Sequence, residues 1–259
     1  MTARTETVAR AGASAPWLTL VHGMSQDRRI FSAQVSEFRD RYRILLVDLP
    51  GHGLSADLPG PFGHAEFAAS VDAAMDAAGV TETHYWGTHT GTAVGLLLAC
   101  RQPTRFRSLI LEGAVLPGQA LPIVVAELDR ARATAQAQGI DAARRQWFEA
   151  CWFETMRQHP ADCRAKAHWS IVADFAGRPW LEPGNPAPVA PVDDALRSLN
   201  IPVLLYNGEH DHADFMAVAE RIESLLPDVR RARIPDAGGF PAWEFPDRVN
   251  ALVADFLAG

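Results

Sequence analysis

The feature that most constrains this chain is a pair of glycines four residues apart, Gly87 and Gly91, set between a short strand pattern and an apolar helical run. The strand pattern is His84 to Trp86, and the helical run is Thr92 to Cys100 (TAVGLLLAC). A strand that turns straight into a helix over Gly-Thr-His-Thr-Gly crowds its own turn, so the flanking positions have to lack side chains. The middle residue, His89, is thereby held in a strained conformation and projected above the sheet. It stands at the N-terminus of the helix, where free backbone amides point at it.

The same strand–helix alternation runs along most of the chain. Trp17 to Val21, Tyr42 to Val47, Phe106 to Leu111, Pro202 to Tyr206 and Val229 to Ile234 read as strands. Helical patterns at Arg29–Phe38, Glu66–Ala78, Ala213–Leu226 and Pro246–Leu257 separate most of them. Arg4 to Arg10 alternates as an antiparallel edge strand would. Such alternation predicts a mostly parallel sheet with helices on both faces. Between Leu116 and Leu199 no strand pattern occurs. Ile123–Gln138 and Asp141–Met156 read as helices, and Pro179–Pro191 as a Pro-rich return loop. The expected organisation is a core of residues 1–115 and 200–259, with residues 116–199 as a helical cap.

Five further segments fall in a fixed order. His22-Gly23-Met24 follows an early strand, and Asp48-Leu49-Pro50-Gly51-His52-Gly53-Leu54-Ser55 follows the next. Gly208-Glu209-His210-Asp211 follows a late strand, Ile234 to Pro241 (IPDAGGFP) follows the last one, and Glu244-Phe245-Pro246 comes after it. With the Gly87–Gly91 turn, these resemble the α/β-hydrolase fold superfamily over nearly the whole chain outside the cap. The resemblance implies a nucleophile elbow at His89, a catalytic acid at Asp211, and an oxyanion hole from the backbone amides of Met24 and Thr90. Two departures stand out. The nucleophile position, normally serine, holds His89, and the position of the catalytic histidine holds Gly239.

A serine-esterase mechanism therefore lacks both its hydroxyl and the imidazole that would activate it. An imidazole at the elbow reaches farther than a serine. The expectation is that His89 fills the space vacated at residue 239 and bonds Asp211, directly or through a water, as a His–Asp dyad. A base beside an oxyanion hole suits proton abstraction next to a carbonyl, in a lyase, isomerase or cyclase type of reaction without a cofactor. Activation of water by His89 in a hydrolase is one alternative, and a pocket that binds without catalysis is another.

The cap holds Trp147, Trp152, Trp169 and Trp180, which favours a hydrophobic or aromatic small molecule. Ser25, Trp147, Trp152, Trp169 and Phe240 are the candidate substrate-binding residues. His22 and His52 belong to backbone motifs and read as structural. His210 and His212 flank Asp211, where either is a possible stand-in for the lost imidazole. His210-Asp211-His212 are too close in sequence to converge on one metal ion. Three cysteines, Cys100, Cys151 and Cys163, match no metal or redox spacing. A net charge of −7 argues against nucleic acid as a partner. The N-terminus has no apolar signal core and no apolar run is long enough to span a membrane, so a cytoplasmic location is expected. The sequence does not fix the oligomeric state.

Overall fold

A computed structural model describes residues 1–259. Seven strands form one sheet: β1 (Arg4–Val8), β2 (Trp17–Val21), β3 (Arg43–Asp48), β4 (Thr83–Thr88), β5 (Phe106–Glu112), β6 (Val203–Gly208) and β7 (Val229–Ile234). Their spatial order is β1-β3-β2-β4-β5-β6-β7. β1 pairs antiparallel with β3, and every other pairing is parallel. The edge strand and the parallel sheet are those expected from the alternation.

Side chains alternate across each strand, and the two faces bury separate cores. On β3, Leu45 and Val47 join a cluster with the helices His64–Ala77 and Thr90–Arg101, whereas Ile44 and Leu46 join the opposite one. The second cluster runs on without interruption into the cap through Trp147, Trp152, Phe153 and Trp180. Sheet and cap thus share one apolar interior. The Thr90–Arg101 helix is buried on nearly every side, which explains an apolar run with no polar face.

Between β5 and β6 the chain is helical and contains no strand. The expected helix over Asp141–Met156 is broken. It runs from Ile140 to Phe148, unwinds, and resumes as the turn Cys151–Phe153 and the helix Glu154–Gln158. The break lets Trp147 and Trp152 face one another, with ring centres 4.9 Å apart. A helix at Ala165–Asp174 follows, which the sequence pattern had not marked. The Pro-rich return is irregular except at Arg178–Leu181, where Pro179 sits in the first helical turn, a position that tolerates a missing N–H.

Candidate functional site

The elbow is built as its glycines demand. His89 has φ +46° and ψ −113°, a region that side chains normally avoid. A Cβ on Gly91 would lie 2.1 Å from the Val21 carbonyl oxygen, and one on Gly87 would lie 2.5 Å from the Gly91 carbonyl. The turn is tied at both ends. The His89 N–H donates to the Glu112 carbonyl at 2.9 Å, and the His89 carbonyl accepts from Thr92 N (2.8 Å) and Thr92 Oγ1 (2.6 Å). Strain of this kind costs roughly 1–3 kcal/mol and persists only where the surroundings over-determine it.

The His89 ring lies between Phe215 and Phe240, with ring centres 4.8 and 4.7 Å away. The residue is 7% exposed, and neither ring nitrogen has a hydrogen-bond partner. Burial, reinforced by the neighbouring His212, lowers its pKa to about 3, while the Gly239 backbone pulls the other way. The ring is therefore neutral at pH 7, with one nitrogen free to accept a proton.

The direct His89–Asp211 bond does not form. Asp211 Oδ2 accepts from Asn207 Nδ2 at 2.8 Å, and Oδ1 accepts from the His212 N–H at 2.9 Å. With those contacts on its carboxylate and His89 wedged between two phenyl rings, the two side chains do not pair. Burial raises the Asp211 pKa to about 7, against the opposing pull of its two donors.

At residue 239 the position a Cβ would take is occupied by the cap. Gly239 N donates to the Trp152 carbonyl at 3.3 Å, and a Cβ on Gly239 would lie 2.8 Å from both Trp152 Cβ and that same oxygen. The surrounding loop is clamped by two buried carboxyl groups. Glu244 accepts from the amides of Gly238 and Phe240, both at 2.9 Å, and Glu112 accepts from Ala242 N at 2.7 Å. Burial pushes the Glu112 pKa up to about 8.

Met24, Thr90 and His89 border one small chamber of about 60 Å³, closed by Val115, Val124, Trp147, Trp152, Phe215 and Phe240. The Met24 N–H donates to no backbone carbonyl, and Thr90, as the first helical residue, has no intrahelical acceptor for its own. These are the two amides expected from the sequence to form an oxyanion hole. Of the five candidate substrate-binding residues, Trp147, Trp152 and Phe240 line the chamber. Ser25 does not. It is fully buried at φ +62°, and its hydroxyl has no partner. Trp169 is also off the wall, packed against Phe148 with ring centres 5.3 Å apart.

Two further histidines, His212 and His168, pack around the site. His212 has both ring nitrogens buried without partners, and its ring lies 4.1 Å from Phe215 and 5.4 Å from Trp152. His210 instead borders an outer hollow of about 590 Å³ with polar cap residues, which touches neither His89 nor Asp211. His168, on the cap, meets Gln26 Nε2 through its own Nε2 at 3.1 Å, while Gln26 Oε1 accepts from Gly23 N at 3.2 Å. That relay ties the loop at Gly23 to the cap. No three His, Cys, Asp or Glu side chains converge as metal ligands would.

A family profile described as alpha/beta hydrolase fold matches residues 16–246. The chain belongs to the α/β-hydrolase fold family. Among curated proteins it is similar to 2-succinyl-6-hydroxy-2,4-cyclohexadiene-1-carboxylate synthase of Yersinia pseudotuberculosis serotype O:1b (strain IP 31758). Identity is 28% over 237 residues, covering 84% of this chain and 80% of that protein. Among solved structures it resembles a hydrolase from Pseudomonas aeruginosa PA01, with a TM-score of 0.83 at 22% identity, over 98% of this chain and 94% of that one. It also resembles MenH from S. aureus, with a TM-score of 0.82 at 19% identity, over 100% and 98% of the two chains. No helix is long and apolar enough to cross a membrane.

Proposed function

We propose that this chain is a cofactor-independent enzyme of the lyase, isomerase or cyclase type, with His89 as the general base and the Met24 and Thr90 amides as the anion site. The substrate is an apolar or aromatic small molecule. The observation that carries the reading is a neutral imidazole with free nitrogens on the same small wall as two unpaired amides. A base whose pKa is near 3 is weak in the empty site. An enolate forming within a few ångströms changes that, because an adjacent negative charge favours the imidazolium. Base strength then rises as proton transfer proceeds, which is a preference for the transition state over the ground state.

The similarity to proteins named as a synthase supports a reaction other than hydrolysis. The absence of a His89–Asp211 bond favours a second reading, a binding protein that no longer turns substrate over. Nitrobenzisoxazole separates the two readings. Its ring opens when a base removes one C–H proton, and the electron pair leaves on oxygen as a phenolate. Wild-type protein is expected to accelerate the opening, and His89→Ala to lower the rate at least about 100-fold, the lower range for a positioned base. Wild-type protein without turnover, or His89→Ala with turnover intact, rules out His89 as a base.

A further inference from the structure

The chamber does not end at Trp147. A second cavity of about 420 Å³ shares Met24, Thr90, Val115, Val124 and Trp147 with it, and extends outward under the cap. Its walls are mostly apolar, with Phe62 and Phe67 on the core side and Val124 and Leu128 on the cap helix Pro122–Gln138. Arg132 is the one cation on them.

The spacing on that helix is regular. Val124, Leu128 and Arg132 recur every four residues and so lie along one helical stripe. At 1.5 Å per residue, Arg132 stands about 12 Å along the helix from Val124, which borders the His89 chamber. Arg132 is only lightly committed elsewhere. Its Nη1 meets Asp129 Oδ1 at 3.1 Å, three residues back on the same helix, with 35% and 64% of the two side chains exposed. Its Nε is buried and has no partner. Solvated intrahelical pairs are among the weakest ionic contacts, whereas a guanidinium at an apolar wall binds an oxyanion strongly and with two parallel bonds. The remaining groups do not cancel this charge. Burial holds His64, on the opposite wall, below its usual pKa and so neutral. Glu66 does not line the cavity, and its Oε1 accepts from the Ala187 N–H at 2.9 Å.

We infer that the outer cavity binds an elongated apolar ligand with a terminal carboxylate or comparable oxyanion, held by Arg132 about 12 Å from the chamber at His89. This deepens the substrate side of the reading above, and its test measures binding alone, so it stands or falls separately from catalysis by His89.

Two fluorescent probes share an aromatic body and differ in charge: anilinonaphthalene sulfonate and neutral phenylnaphthylamine. The sulfonate is expected to bind more tightly. Arg132→Gln should weaken it about tenfold and leave the neutral amine unchanged. Asp129→Asn should strengthen the sulfonate by removing the competing carboxylate. Leu128→Trp, which fills the cavity, should abolish binding of both probes. Equal affinities for the two probes in wild-type protein, an unchanged sulfonate affinity in Arg132→Gln, or sulfonate binding that survives Leu128→Trp would each overturn the assignment.

Discussion

At the scale of single residues, the site carries an imidazole at the elbow and none at residue 239, and His89 makes no direct bond to Asp211. Gly239 is more than a missing histidine. Its Cβ position is occupied by the Trp152 backbone, so Gly239→Ala is expected to cost roughly 1–3 kcal/mol by overpacking, read from the midpoint of urea unfolding. For the same reason the double variant His89→Ser, Gly239→His is expected to hydrolyse nitrophenyl acetate no faster than wild type. A second expectation concerns His212, whose proximity helps to depress His89. In His212→Gln, the His89 ring should titrate at a higher pH than in wild type, measured by the NMR shifts of its ring carbons. The oddity of His89 was plain in the sequence, because the motif around it was intact. The fate of residue 239 was not, since its partner lies in the cap and glycine announces only that a side chain is absent.

At the scale of elements, the elbow strand, its turn and its helix were legible because each obeys a local rule: an apolar run, two glycines, a buried helix. The segments around it were legible through their order. The cap resisted reading, because the break after Phe148 is set by tryptophan contacts between residues five apart and further packing beyond them, with no glycine or proline at the break. The loop from Gly238 to Ala242 shows the same difficulty. It is positioned by Glu244 and by Glu112, and an acidic residue ending a strand looks like any solvated turn residue. Glu244→Gln is expected to weaken the two bonds to Gly238 and Phe240, at about 1–3 kcal/mol in total. Faster hydrogen exchange at those two amides, with the elbow amides unchanged, is the measurement that checks it.

At the scale of the whole molecule, burial depresses the pKa values of six histidines: His52, His89 and His168 to about 3, His84 and His212 to about 4, and His64 in the same direction. Their unfolded value is near 6.5, so the unfolded chain binds these protons first as pH falls. The stability they contribute is complete above pH 6.5 and is lost between there and about pH 3. Asp211 and Glu112 work in reverse. Their folded values of about 7 and 8 exceed the unfolded ones, so their contribution is complete below pH 4 and lost as pH rises through 7 to 8. The depressed histidines outnumber the raised carboxyl groups on the acid side. Stability is expected to climb from pH 4 to about 6.5 and to decline gently toward pH 8, and Glu112→Gln should flatten that decline. Urea unfolding across this range reads both slopes.

The contact between Gly239 and Trp152 also sets a direction on how such a site can change. While the cap backbone occupies the Cβ position of residue 239, every side chain placed there meets a wall, whatever its chemistry. A route back to a hydrolytic triad must therefore shift the Cys151–Phe153 turn before it installs the histidine. Substitutions made in the opposite order pass through a poorly packed intermediate. The close approach works as a one-way ratchet: a lineage can cross it in single steps while losing the imidazole, but the return needs the cap to move first.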